Sequence, residues 1–347
     1  MIGRKGIREA LLAAVLFGLS APIAKILAGG FSPQLLAGLL YIGSGIGLAI
    51  LALFRSGSTR ADAGLKPADI PFLTGAIAFG GIAAPVLLMF GLQRTPASGA
   101  SLLLNLEAVF TVVIAWAVFR ENIDFHIAAG LVAIVAGGAV LSWTGSFQLA
   151  EYAGPLAIAA ACLCWGVDNN LTQRISAADP VRIAGLKGLA AGTVNTVLAF
   201  SLGQWHYTPL MWPALGLGFV SYGLSLVLYI QALRDLGTAR AGNCFSVAPF
   251  VGAILGVLLW RDPVTLALSA AGALMGIGVW LNMTETHEHF HIHEPMTHEH
   301  LHTHDIHHQH EHLPTDPPGE PHTHPHRHER LEHSHPHYPD IHHRHPH

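Results

Sequence analysis

Long apolar stretches separated by short polar segments fill the chain from its N-terminus to Met283. A helix needs about 20 mostly apolar residues to cross the hydrocarbon core of a bilayer. Ten stretches of that length follow one another, and the segments between them are too short to hold a soluble domain. They predict helices over roughly residues 9–28, 33–54, 71–92, 97–119, 125–144, 154–173, 182–203, 212–233, 239–260 and 264–283. The pattern predicts an all-α integral membrane protein with ten transmembrane helices.

Composition supports this prediction. Hydrophobic residues make up 51% of the chain and charged residues only 12%, whereas ordinary soluble domains are about a quarter charged. A chain so poor in charge is not expected to be a soluble enzyme. It also lacks the Gly-x-x-x-x-Gly-Lys-Ser/Thr phosphate-binding loop, which argues against ATP-driven pumping by this chain alone.

Orientation follows from the excess of Lys and Arg in cytoplasmic connections. With the N-terminus inside, only Arg94 and Arg261 fall at outer connections. The other basic residues at helix ends then lie on the cytoplasmic side: Arg4, Lys5, Arg8, Arg55, Arg60, Lys66, Arg120, Arg174, Arg182, Arg234 and Arg240. An even number of spans returns the C-terminus to the cytoplasmic side. We therefore expect a multi-pass protein of the cell (inner or plasma) membrane with both termini cytoplasmic.

The sequence matches itself without gaps when it is shifted by one fixed distance. The shift pairs Leu92 with Leu233, Ala100 with Ala241, Arg120 with Arg261, Glu121 with Asp262 and Gly137 with Gly278, and a weaker match pairs Ala13, Phe17 and Gly18 with Ala161, Trp165 and Gly166. Two five-helix units follow, over residues 1–148 and 149–283. Because each unit has an odd number of spans, the units must insert in opposite orientations, which is typical of alternating-access transporters.

Short motifs recur at matching places in the two units. Phe17-Gly18 and Trp165-Gly166 stand in the first helix of each unit, and the fourth helices carry Leu104-Asn105-Leu106-Glu107-Ala108-Val109-Phe110 and Val247-Ala248-Pro249-Phe250. With these motifs, residues 1–283 resemble the drug/metabolite transporter superfamily, in the branch built from two EamA-type units. Each unit keeps one member of the family's Glu-Pro pair, Glu107 or Pro249. The resemblance implies a ten-helix permease that moves small metabolites, often outward, through a central cavity.

Ionisable residues inside spans are costly, so they usually face a cavity or one another. Lys25, Glu107, Asp168 and Lys187 are such residues, and Asn105 and Asn169 add neutral donors and acceptors at similar depth. We expect these six residues to line the substrate cavity. Glu107 and Asp168 are the strongest candidates because their short side chains cannot easily reach the interface. The alternative is structural neutralisation between packed helices, and the lysines could extend their ammonium groups to the membrane surface.

The last 64 residues, 284–347, have a different composition. Of 25 histidines, all but His126 and His206 lie here, together with eleven carboxylates, which gives the tail a charge of −8 against +4 for the rest. Such a segment cannot build a core and is predicted to be disordered. Neutral imidazole suits Zn, Ni, Cu and Co. The candidate metal ligands are His287, His289, His291, His293, His298, His300, His302, His304, His307, His308, His310 and His312; incidental metal affinity is the alternative.

These observations favour a secondary transporter, a permease or exporter of a small solute, with a cytoplasmic metal-binding tail. Two alternatives stay open: a divalent metal cation transporter, and a membrane-anchored metal sensor that transports nothing. No cofactor is expected to be required beyond metal on the tail. The expected partners are the lipid bilayer and a small-molecule or metal-ion substrate, with no nucleic acid, and the protein is expected to be a monomer or homodimer.

Overall fold

The computed structural model describes residues 2–54, 64–119, 125–143, 149–176, 178–236 and 238–283. In the tail it describes four short segments, 288–293, 296–302, 322–328 and 331–336. Helices account for nearly all of the described chain before residue 284. The predicted all-helical membrane body therefore agrees with the observed secondary structure.

Helices of the first half follow the apolar stretches closely. They are α1 (Ile2–Gly18), α2 (Ser20–Ala28), α3 (Pro33–Phe54), α4 (Ile70–Ala76), α5 (Ala84–Leu92), α6 (Ala97–Leu103), α7 (Leu106–Phe119) and α8 (Phe125–Ser142). A π-helical turn, Ile77–Ala83, joins α4 to α5 and is called here the first π segment. A short 3₁₀ turn, Pro67–Asp69, precedes α4. The first helix begins at Ile2, several residues earlier than the apolar stretch alone predicted.

The second half repeats this series, except that the single helix α9 takes the place of α1 and α2. Its helices are α9 (Ala153–Ile175), α10 (Pro180–Ser201), α11 (Met211–Leu217), α12 (Ser225–Leu236), α13 (Thr238–Phe245), α14 (Ala248–Trp260) and α15 (Leu266–Met283). The second π segment, Gly218–Leu224, joins α11 to α12. Both π segments are seven residues long and begin 141 residues apart, at Ile77 and Gly218. The start of α8 and the start of α15 have the same separation, so the repeat read from the sequence extends to the secondary structure.

Seven helical stretches of the described residues are long and apolar enough to cross a membrane. They are Lys5–Ala28, Pro33–Phe54, Pro67–Leu92, Ala97–Val118, Phe125–Ser142, Pro180–Ser201 and Met211–Ala232. Ala248–Trp260 and Leu266–Asn282 are shorter apolar helices. Helix α9 is not among the seven, and its C-terminal part is polar, with Asp168, Asn169, Asn170 and Arg174. The count of ten spans therefore stays a prediction, although a helix is present at each of the ten predicted positions.

Glycines bring the second helices of the two halves, α3 and α10, into close contact. A Cβ placed on Gly188 would lie 2.6 Å from the backbone nitrogen of Gly45, and one on Gly45 would lie 2.5 Å from that of Leu189. Helices α8 and α15 approach in the same way through Gly130 and Gly278. Small residues permit such backbone contact. Close contact of this kind favours helix association in lipid, where the burial of apolar area alone gives no driving force. Equivalent helices of the two halves therefore pack against each other.

The four described tail segments are β-strands, which differs from the predicted disorder. Strand β1 (Glu288–His293) pairs with β4 (Leu331–Pro336), and β2 (Met296–His302) pairs with β3 (His322–His328), both antiparallel. Histidine alternates with other residues in these segments, a period of two that matches an extended strand. The rest of the tail lies outside the described residues.

Candidate functional site

A cavity of about 610 Å³, including the space open to solvent, lies between the two halves of the helical body. Both halves contribute to its wall. The first half contributes Phe17, Tyr41, Ser44 and Glu107, and the second contributes Trp165, Asp168, Asn169, Ala184, Lys187, Gly188, Ser221, Tyr222, Ser225, Leu226, Tyr229 and Phe245. Four of the six predicted site residues are among them. Glu107, Asp168, Asn169 and Lys187 are thus brought together at one site.

Asp168 and Lys187 form a buried ion pair in the cavity wall. The Lys187 Nζ atom lies 2.6 Å from Asp168 Oδ1 and 2.8 Å from Oδ2, and both side chains are less than a tenth exposed. Thr172 stands one turn after Asp168 on α9 and donates its hydroxyl to Asp168 Oδ1 at 2.8 Å, while accepting from Lys187 at 3.2 Å. These hydrogen bonds satisfy both charges, which a buried pair requires if it is not to destabilise the fold.

Glu107 has a neutral partner instead of a cation. Asn169 donates its amide to Glu107 Oε1 at 2.8 Å and to the Thr111 hydroxyl at 3.3 Å. Thr111 in turn donates to the backbone oxygen of Glu107 at 2.8 Å. This carboxyl group enters the cavity from the first turn of α7, directly after the break between α6 and α7 at Leu104 and Asn105. It is the carboxyl group in the cavity that has no lysine against it among the described residues.

Aromatic rings from several helices form most of the remaining wall. The ring centroids of Phe17 and Phe245 lie 5.4 Å apart, those of Tyr229 and Phe245 4.6 Å, and those of Tyr41 and Tyr222 5.5 Å. Phe17 also contacts the edge of the Trp165 ring at 6.0 Å. Tilted and edge-on arrangements of this kind are the favoured ones for aromatic pairs. The cavity therefore combines an apolar, aromatic wall with a few charged groups.

Asp168 rests against the first π segment. A Cβ added to Gly80 would overlap the Asp168 carboxylate, so the missing side chain of this glycine leaves room for the ion pair. The backbone oxygen of Gly80 accepts from Tyr41 Oη at 2.7 Å and from Trp165 Nε1 at 3.1 Å. Asn195 donates to the oxygens of Gly81 and Ile82 at 3.2 and 3.4 Å. Side chains from three helices thus hold this part of the cavity wall by donating hydrogen bonds to it.

Lys25 and Asn105 were predicted at the cavity, and the structure places them elsewhere. Lys25 donates to the backbone oxygens of Leu92, at 2.7 Å, and Thr95. An ammonium group is well placed here because Leu92 is the last residue of α5 and Thr95 lies in the connection that follows it. Asn105 donates to the oxygen of Leu102 at 3.0 Å and contacts the Met275 sulfur at 3.7 Å. Neither residue is part of the cavity wall.

The predicted metal ligands divide into two groups. His287, His304, His307, His308, His310 and His312 lie outside the described residues, whereas His289, His291, His293, His298, His300 and His302 belong to β1 and β2. Among the described residues, His, Cys, Asp and Glu form no group of three or more that could hold a metal ion. The helical body, as far as it is described, therefore contains no candidate metal centre.

Several site residues were not predicted from the sequence, although a signal existed for some of them. Thr172 is four residues after Asp168, and residues at this spacing are neighbours on one helix face. Tyr41, Tyr222 and Tyr229 gave no such signal, because a tyrosine in an apolar span is usually a packing residue. Their place at the cavity depends on the arrangement of helices that are far apart in sequence.

A polytopic helical body with a charged cavity between two similar halves defines a class of protein, the multi-pass membrane transporters. Within this class, the model of the EamA-like transporter family matches the chain twice, over residues 4–143 and 152–284. The two matches cover most of the chain and correspond to the two halves described above. The chain belongs to the EamA-like transporter family.

Individual proteins are similar to this chain as well. An "uncharacterized transporter" of Methanothermobacter thermautotrophicus is 29% identical over 289 residues, which cover 78% of this chain and 84% of that protein. The "uncharacterized transporter YoaV" of Bacillus subtilis is 22% identical over 259 residues, 72% of this chain and 87% of that protein. A crystal structure at 20% identity superimposes with a TM-score of 0.60 over 79% of this chain and 95% of that one, which shows a shared fold.

Proposed function

We propose that this protein is a secondary permease that carries a small organic solute across the cell membrane by alternating access. The observation that carries the proposal is the cavity between the two halves, whose wall holds Glu107, Asp168 and Lys187. Ionisable groups are rare at membrane depth and are typically found on substrate or ion pathways. Family membership supports transport as the activity.

Alternating access needs two similar units that can move against each other around a fixed site. The repeated element order supports this requirement, because α4, the first π segment and α5 recur as α11, the second π segment and α12. In our proposal the units are inverted with respect to each other, as five spans per unit require. The direction of transport is set by the solute gradient or by a coupling ion.

The chemistry of the wall indicates the class of solute. The lining holds two carboxyl groups and one lysine, and the lysine is already paired with Asp168. A carboxylate at Glu107 surrounded by aromatic rings favours an ammonium group, by charge and by cation–π contact. We therefore propose a cationic or zwitterionic solute with an apolar or aromatic body.

The proposal is tested by uptake into proteoliposomes that contain the full-length protein, with a panel of amines, amino acids, neutral metabolites and divalent metals. We expect saturable flux of one or more amines or zwitterions. Glu107→Gln should remove most of that flux while the protein still inserts and folds. Asp69→Asn is the matched control, since Asp69 caps the turn before α4 and is not part of the cavity wall. Normal flux in Glu107→Gln, or flux of no solute at all, would contradict the proposal.

The proposed orientation has both termini in the cytoplasm, as the Lys/Arg distribution predicts. The connection that contains Trp205 and His206 would then be external. A single cysteine at His206, which is exposed, should react with a membrane-impermeant maleimide added to intact cells, whereas a cysteine at the C-terminus should react only after lysis. Labelling of the C-terminal cysteine in intact cells would reverse the orientation.

For the tail we propose binding of divalent metal, which would regulate or supply the permease. The strand register supports this role at the backbone level. It places His289 opposite His335 and His291 opposite His333, and farther along it places His298, His300 and His302 opposite His326, His324 and His322. In this proposal, opposed histidines supply two or more ligands per ion, because imidazole is a common ligand of Zn, Ni and Cu.

A metal ion as the cargo is the main alternative. Asp168, Glu107 and the nearby asparagines could offer oxygen ligands, but Asp168 is already bound to Lys187 and Thr172. Flux of a divalent metal in the uptake panel, with none of the organic solutes, would favour this alternative. A membrane-anchored sensor would give no flux of either kind.

A further inference from the structure

The two π segments occupy equivalent positions in the repeat, but different groups hold them. In the first, Pro85 lies just after the π turn and has no N–H to donate to the preceding turn of the helix. The backbone oxygens of Gly80, Gly81 and Ile82 accept from side chains instead, as described above. Proline and three side-chain donors together fix this segment in the π conformation.

The second segment has none of these supports. A shift of 141 residues places Leu226 at the position of Pro85, so the backbone N–H is present there. The donors Tyr41 and Asn195 stand on α3 and α10, two helices of 22 residues that begin 147 residues apart at Pro33 and Pro180. Their counterparts are Gly188 and Leu48, and the counterpart of Trp165 is Phe17. No counterpart can donate a hydrogen bond from its side chain.

Contacts show that two of these counterparts, Phe17 and Leu48, face the second π segment. The ring of Phe17 lies 5.9 Å from that of Tyr222, and a Cβ placed on Gly223 would lie 3.4 Å from Leu48 Cγ. Among the described residues, no side chain donates to a backbone oxygen of Gly218–Leu224. The Ser221 hydroxyl is buried in the cavity wall and also has no hydrogen-bond partner within the described chain.

We propose that the first π segment is a fixed wall of the cavity and that the second converts between π and α helix during transport. A π turn holds one residue more than the corresponding α turn, and one residue corresponds to a rotation of about 100° around the helix. Conversion would turn α11 relative to α12 and move Ser221 and Tyr222 with respect to the cavity. The proposal rests on the proposed function, since it assigns the moving part of the transport cycle to one half.

In this proposal, Asn195 is a positioning residue for the substrate site. It holds the oxygens of Gly81 and Ile82, and Gln34 orients it by donating to Asn195 Oδ1 at 2.8 Å. Through the π segment it keeps Gly80 against Asp168. The amide acts without touching the cavity, because Asn195 is fully buried outside its wall.

Hydrogen–deuterium exchange of the purified full-length protein tests the proposal without any transported solute. A failure of this proposal can therefore be distinguished from a failure to identify the solute, which would concern the proposed function. We expect amides of 218–224 to exchange at least about tenfold faster than those of 77–83, because one hydrogen bond alone is worth about that factor. Equal or slower exchange in 218–224 would overturn the proposal.

Exchanging residues between the halves gives a second measurement. Asn195→Leu copies the residue at position 48 and should speed exchange in 77–83 by about fivefold to tenfold without changing 218–224. Leu226→Pro copies position 85 and should slow exchange in 218–224. Gln93→Leu is the control, because this carboxamide also bonds two backbone oxygens, those of Ala28 and Phe31, away from both π segments. An equal effect of Gln93→Leu on 77–83 would contradict a specific role for Asn195.

Discussion

Two carboxyl groups of the cavity wall have different partners in this protein. Asp168 is bound to Lys187 and Thr172, whereas Glu107 is held by Asn169. A carboxylate with a bound lysine is neutralised and contributes to the fold, and one held by a neutral amide can respond to a solute. The structure thus distinguishes the two carboxyl groups by their partners, which the sequence alone did not do.

Breaking the ion pair on one side should destabilise the protein strongly. Asp168→Asn leaves the Lys187 ammonium buried without a counter-charge, and such changes cost about 3–5 kcal/mol. The double variant Asp168→Asn with Lys187→Met removes both charges and should recover most of that loss. Thermal unfolding in detergent measures all three proteins. A single variant as stable as the original protein would mean that the pair contributes nothing to the fold.

At the scale of elements, the absence of a side chain at Gly80 allows the first π segment to contact the Asp168–Lys187 ion pair. Gly80→Ala should displace the Asp168 carboxylate, because the added methyl group overlaps it. Overpacking of this kind costs about 1–3 kcal/mol, and transport should fall at the same time. Gly29→Ala is the control, since a Cβ there meets no atom within 4 Å. Equal flux and equal melting temperature in both variants would show that Asp168 does not depend on this contact.

Helix positions could be predicted from the sequence because apolar stretches of membrane-spanning length leave few alternatives. The breaks inside the spans could not be predicted from the sequence. Helix α7 begins after Asn105 and α14 after Val247, and the two π segments interrupt the third and eighth predicted spans. These features depend on donors from other helices, such as Tyr41 and Asn195, that have no fixed spacing from the segments they hold.

The candidate site was predicted in part for the same reason. Charged residues inside apolar spans are conspicuous, which pointed to Glu107, Asp168 and Lys187. Lys25 has the same sequence signal, but it lies one turn from the end of α2 and reaches the carbonyl of Leu92, the last residue of α5. Only the packing of α2 against α5 distinguishes it from Lys187.

At the scale of the whole molecule, a transporter body is joined to a segment of quite different chemistry. The body carries a net charge of +4 and the tail −8, and 23 histidines lie beyond Met283. Transport and metal binding should therefore be separable by a single truncation.

Truncation after Met283 should remove most metal binding and leave at least basal flux, because we propose that the metal ligands lie in the tail and the solute site in the body. The full-length protein should bind several ions of Zn, Ni or Cu at pH 7. Binding should weaken as the pH falls toward about 6, because imidazole, with an ordinary pKa of about 6.5, then takes up protons in competition with metal. Equilibrium dialysis of both proteins at the two pH values measures this. If the truncated protein kept the full number of metal ions at pH 7, the ligands would have to lie among the helices, and metal would become the better candidate for the cargo.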